Sequence, residues 1–144
     1  MIKLENIKKD VKARQAETCM YKDIIDAMKQ QEIEFAIGLK DEEINVIEQI
    51  YEIVFPEELK KFYKEALPIS SGFYNWRDKS AENVKSIKKA MQIPIQGIIE
   101  NSLEIDWNEA WGVEPIDSIE REIIIKDMVL KAPKLIPIYS HQYM

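Results

Sequence analysis

The chain has 144 residues, 46% hydrophobic and 32% charged, with a net charge of −6. That is the composition of one folded domain with its own core and argues against a disordered chain. One cysteine and one histidine exclude an internal disulfide, a Cys/His zinc site and an ordinary Cys–His catalytic pair.

The N-terminus mixes both charge signs without the long apolar centre of a secretory signal, and no apolar run is long enough to span a bilayer, so the sequence reads as cytoplasmic, with no membrane partner. Ile2/Leu4, Ile7 and Val11 recur at helical spacing and predict a helix over residues 2–16. Thr18 is placed to cap a second helix carrying Met20, Ile24, Ile25 and Met28. Cys19 lies in that helix beside a single base, Lys22, and is expected to be a partly buried, inert thiol. The alternation over residues 32–38, ending at Gly38, predicts a short strand. From Asp41 to Val54 the stripe Ile44, Ile47, Tyr51, Val54 predicts a helix whose acidic first turn suits the helix dipole.

Pro56 opens the next helix, with Leu59, Phe62, Tyr63, Ala66 and Leu67 on its buried side and Pro68 as its stop. Ser80 is a suitable N-cap for a helix through Met91. Residues 92–114 read as strand or loop, with a turn at Trp111-Gly112. Pro115 begins the last helix, with Ile116, Ile119 and Ile123 as core candidates and Pro133 as its end. Leu135–Tyr139 is an apolar β-type run in which Pro137 favours an edge. The whole chain, 1–144, reads as a single domain, with a helical segment over 1–31 ahead of the remainder.

Charge is distributed unevenly. Residues 31–60 carry nine acids and two bases, 61–90 three acids and seven bases, and 91–120 seven acids and no base. Solvated helix faces are the ordinary explanation of such runs. Acidic surface can also recruit a basic protein, whereas direct nucleic-acid binding needs a basic face.

The loop Leu67–Asp78 holds Phe73, Tyr74 and Trp76 within four residues, next to Arg77 and Asp78. These types are enriched in binding hot spots, but the ordinary reading puts Trp76 in the core and pairs Arg77 with Asp78 or another carboxylate. Asp106 and Glu109, near Trp107 and Trp111, are the raw materials of a sugar site. A glycosidase would need its carboxyls about 5–9 Å apart across a cleft, and nothing in the sequence sets that geometry. His141, between Tyr139 and Tyr143, reads as a hydrogen-bonded structural residue in preference to an acid/base group. No catalytic residue, cofactor site or metal site is assigned.

In order, the segments Gly38–Ile44, Glu48, Phe55–Tyr63, Leu67–Asp78, Glu109–Gly112 and Ala132–Tyr143 resemble the bacterial branch of the SUKH superfamily, which is related to fungal regulators of cell-wall assembly and glucan synthesis. The resemblance covers about two-thirds of the chain, over 32–144. Phe73-Tyr74-Asn75-Trp76-Arg77-Asp78 and the segment from Pro133 to His141 carry most of it, with Trp111, Tyr139, His141 and Tyr143 as motif residues. Two positions depart from the pattern. Lys40 stands where Ser or Thr is usual, leaving Asp41 to cap the helix, and Gln142 stands where Arg is usual.

The resemblance implies an α+β fold, with helices packed on a small, mostly antiparallel sheet. With the sequence ending at Met144, the sheet is expected to lack the family's C-terminal strands and to leave an edge for a helix, a loop or a second subunit to cover. It further implies a non-enzymatic immunity protein whose partner is a toxin. The acidic segments suit a basic toxin domain such as a nuclease, and a homo-oligomer is compatible with the open edge. The alternatives are a regulator of cell-wall glucan synthesis and, from another class, a small carbohydrate-active enzyme using Asp106 and Glu109.

Overall fold

The computed structural model describes residues 2–144, apart from the side chains of Ile2, Lys3 and Thr18. The fold is α+β, mostly helical, with two small antiparallel two-stranded sheets. The chain forms two compact units, one ending at Lys79 and one running from Ser80 to Met144.

In the first unit, α1 (Ile2–Gln30) is one uninterrupted helix in place of the expected pair. The junction, Ala13–Glu17, consists of strong helix formers without Gly or Pro, so nothing breaks the backbone there. Ile2 and the Thr18 cap lie outside the described side chains. Tyr21 and Ile25 are buried, and Cys19 is exposed, contrary to expectation.

Strand β1 (Phe35–Ile37) pairs with β2 (Ala66–Pro68) in the register Phe35↔Pro68, Ala36↔Leu67, Ile37↔Ala66. Between them, α2 (Asp41–Tyr51) and α3 (Glu57–Glu65) supply the core residues Ile44, Ile47, Tyr51, Leu59 and Tyr63. The α2 helix stops at Tyr51 because Glu52 turns left-handed at φ 53°, the usual device for ending a helix though uncommon for a non-glycine residue. Ile53 therefore enters the core and Val54, expected on the helix stripe, is exposed. Lys40 occupies the N-cap of α2 without a side-chain cap bond. Asp41 is the first helical residue and pairs with Lys64 at 2.9 Å, so it does not replace the cap. The α3 helix ends before Pro68, with Ala66 already extended into β2.

In the second unit, α4 (Ala81–Glu100) starts at Ser80, whose Oγ accepts from Asn83 N–H at 3.3 Å. It passes through Pro94 to Glu100, well beyond its expected end at Met91. Pro94 has no N–H to give the carbonyl four residues back, which is that of Ala90. The Tyr143 hydroxyl donates to Ala90 O at 2.7 Å and takes up that acceptor.

Of residues 92–114, read from sequence as strand or loop, those after α4 form turns and loop leading to a 3₁₀ turn (Glu109–Trp111). Helix α5 (Ser118–Lys131) begins after Asp117, whose carboxylate accepts from Ile119 N–H at 3.1 Å, and not at Pro115. Its buried residues are Arg121 and Ile125. The core candidates Ile116, Ile119 and Ile123 are all exposed. At 100° per residue, turning Arg121 inward turns Ile119 and Ile123 outward. The chain finishes as an antiparallel hairpin of β3 (Pro137–Tyr139) and β4 (Gln142–Tyr143), with Ser140 at φ 47° in its turn.

Candidate partner-binding site

Five of the nine residues singled out from sequence lie in the first unit. Trp76 is 1% exposed and belongs to the core, edge-on to Tyr51 and to Phe55 with ring centroids 5.2 Å away in each case. Such pairs contribute about 0.5–1.5 kcal/mol beyond area burial. Burial pushes the Tyr63 hydroxyl up to about 12, with the neighbouring Trp76 indole acting in the opposite direction. Phe73 and Tyr74 are half-buried and Asp78 is exposed.

Arg77 fastens this loop to the β1–α2 corner. Its Nε donates to Glu43 Oε2 at 2.8 Å, and its terminal nitrogen donates to the carbonyls of Ile37 at 2.9 Å and Gly38 at 3.0 Å. Glu43 also accepts from Lys40 N–H at 3.2 Å. The Arg77 hydrogen bond, then that of Lys40, holds the Glu43 carboxyl below its ordinary value, against the opposing effect of desolvation.

Gly38 makes this corner possible, because a Cβ there would lie 1.9 Å from the Lys64 carbonyl oxygen. The next residue, Leu39, donates its N–H to Tyr63 O at 2.8 Å. A shallow hollow beside the clasp is lined by Ala36, Leu67, Ile69, Asn75, Arg77 and Asp78.

The other four residues lie in the second unit. Trp111 is half-buried and stands edge-on to Trp107, with centroids 5.4 Å apart. Trp107 donates its indole N–H to Gly112 O at 2.9 Å, where Gly112 adopts φ +95°. Tyr139 and His141 are exposed, and Tyr143 is partly buried on Ala90.

Trp111 also lines an apolar groove of about 470 Å³ with Ile98, Ile105, Ile125, Met128, Val129 and Ala132. Its size is that of a ligand site, but it lacks the convergent polar groups that would orient a small polar ligand, so it suits an apolar side chain of a partner. The acids at 100, 104, 106, 109, 114, 117 and 120 are all exposed; no base lies between 91 and 120 in sequence, and Glu114 is paired with Arg121.

The sequence reading missed this groove because it assigned 92–114 to strand or loop. The spacing of Ile87, Met91, Ile95 and Ile98 continues a helical stripe across Pro94 and would have disclosed the helix. It also missed Arg121, the first base after Lys89. This buried guanidinium donates to Glu114 Oε1 at 3.1 Å and to the carbonyls of Ser102 and Ile105, with its Cζ 5.8 Å from the Trp107 ring centroid.

Among the described residues, no group of three or more His, Cys, Asp or Glu is placed to hold a metal ion, and no helix is long and apolar enough to cross a membrane. No family model, curated protein or solved structure matches the chain.

Proposed function

We propose that this chain is a non-enzymatic protein-binding domain, a toxin-neutralising immunity protein of the SUKH kind. It inhibits by covering the working surface of a basic toxin domain such as a nuclease. The observation that carries this reading is the second unit's apolar groove, formed by Ile98, Ile105 and Trp111 with residues of α5, together with the exposed acids Glu104, Asp106 and Glu109 that neighbour Ile105 and Trp111 in sequence. A protein interface has an apolar centre and a polar rim, and exposed carboxylates favour encounter with a basic partner. In the first unit Trp76 serves the core and Arg77 the loop clasp, so this reading assigns recognition to the second unit.

The test is whether the chain protects cells from the product of the adjacent upstream gene and co-purifies with it. Protection without a complex, or neither, removes the immunity reading. Replacing Glu104, Asp106 and Glu109 together by Lys should weaken the complex at least about tenfold at low salt and flatten its salt dependence. A complex indifferent to that reversal places recognition on another surface.

A further inference from the structure

Helix α5 is amphipathic twice over. Its inner face carries Arg121 and Ile125, both buried. On the opposite side Ile119, Ile123 and Leu130 are 66%, 62% and 64% exposed. Their spacings of four and seven residues set them on one stripe, with the aliphatic stem of Lys126 continuing it. Single exposed aliphatics are normal on a monomer, but an aligned row along a well-formed helix marks a contact surface.

The charges beside the row indicate what covers it. Glu120 and Glu122 flank its N-terminal part; Lys126, Asp127 and Lys131 flank its C-terminal part. Lys131 is additionally paired with Asp127 at 2.8 Å. Two copies of α5 laid antiparallel about a twofold axis bring Ile119 of each against Leu130 of the other, with both Ile123 side chains near the axis. The same alignment sets Glu122 beside Lys126 of the second copy, a pair the symmetry makes twice, and Glu120 beside the Asp127–Lys131 ion pair, where it gains little. A parallel alignment would set Glu120 against Glu122, acid against acid. The stripe is therefore complementary to itself in charge as well as in apolarity.

We propose that the exposed Ile119–Ile123–Leu130 face of α5 is the seam of a symmetric homodimer, formed by antiparallel pairing with α5 of a second copy. The seam is about 16 Å long at the helical rise, so the dimer is a weak, concentration-dependent one. It lies on the side of α5 opposite Ile125 and Met128, which line the apolar groove, and is independent of the toxin-binding reading.

Sedimentation or light scattering of the purified full chain over a concentration series tests it, with circular dichroism confirming that each variant stays folded. Wild type should move from monomer to dimer as concentration rises. Ile123→Asp, at an exposed position, should weaken association at least about tenfold by facing two carboxylates across the axis. Glu122→Lys should do the same. Adding Lys126→Glu to that chain should restore the dimer, since the antiparallel pair is re-formed with signs exchanged. A wild type that stays monomeric throughout overturns the proposal. So does a dimer that survives Ile123→Asp, or one that the double exchange fails to restore.

Discussion

Arg77 in the first unit and Arg121 in the second perform the same task in different surroundings. Each donates to two backbone carbonyls and one carboxylate, and each thereby fixes a loop that has little regular structure of its own. At Arg77 the two side chains share their exposure, the arginine at 30% and Glu43 at 27%. At Arg121 the cation is sunk to 10% while Glu114 stands out at 53%. In the first clasp the carboxylate is held on two sides and contributes materially. In the second, the carbonyl bonds and the Trp107 ring provide most of the hold, and the exposed carboxylate adds little. A guanidinium can serve as a loop's missing secondary structure, and the depth of the cation decides which of its contacts matter.

The largest effect should come from Gly38→Ala, which strikes the backbone that Arg77 grips. The added methyl would meet the Lys64 carbonyl oxygen at 1.9 Å and its carbon at 2.5 Å, and neither atom is a flexible side-chain end. A loss of about 4 kcal/mol or more is expected, read as collapse of hydrogen-exchange protection in α2 and α3. Protection retained there would show that the corner is looser than the clasp requires.

Replacing the arginines by Met compares the clasps directly. Arg121→Met should cost about 3 kcal/mol, because it strands the carbonyls of Ser102 and Ile105 in a poorly hydrated site. Arg77→Met should cost about 1–2 kcal/mol, since water can reach part of what it leaves behind. Denaturant unfolding checks the order, and a larger loss at Arg77 would invert the comparison.

A smaller relative of the clasp is the Tyr143 hydroxyl on the Ala90 carbonyl. Tyr143→Phe should cost about 1 kcal/mol. Pro94→Ala restores a helical N–H for that same carbonyl, so Tyr143→Phe should cost markedly less in its presence. An unchanged cost would show that the two groups do not share the acceptor.

The α+β class, the β1 and α2 elements, the Ser80 cap and the burial of Trp76 were legible because local rules and tertiary packing agree there. Ile44, Ile47 and Tyr51 fall on one helical stripe, and Ser80 precedes a helical run. Reading failed where a distant partner overrides a local signal. Pro94 looks like a helix stop, yet it sits inside α4, and a tyrosine 49 residues later satisfies the carbonyl it leaves. Ile119 and Ile123 look like core, yet Arg121 takes the inward face of α5. Trp111 was noticed, but its groove partners Ile98, Ile105 and Met128 come from three separate stretches that periodicity alone does not join.

The smallest effect separates the clasps by pH. Glu43 has a folded-state pKa below the ordinary value of 4.5, held there first by Arg77 and then by Lys40 N–H. A depressed carboxylate contributes stability that is fully present above the unfolded-state value and disappears as pH falls through the lower, folded-state one. Glu43→Gln should therefore remove part of the acid-side loss of stability of the first unit while lowering its stability near neutrality by about 1 kcal/mol. The two stability–pH curves should converge as the solution becomes acidic enough to protonate Glu43 in the native protein. Glu114→Gln, at the exposed end of the other clasp, should shift stability near neutrality by no more than about 0.5 kcal/mol. Chemical unfolding of both variants between acid and neutral pH measures the two differences. If Glu114→Gln matched Glu43→Gln across that range, exposure would not be what distinguishes the clasps, and the weight assigned to the Ser102 and Ile105 carbonyls would have to move to the ion pair.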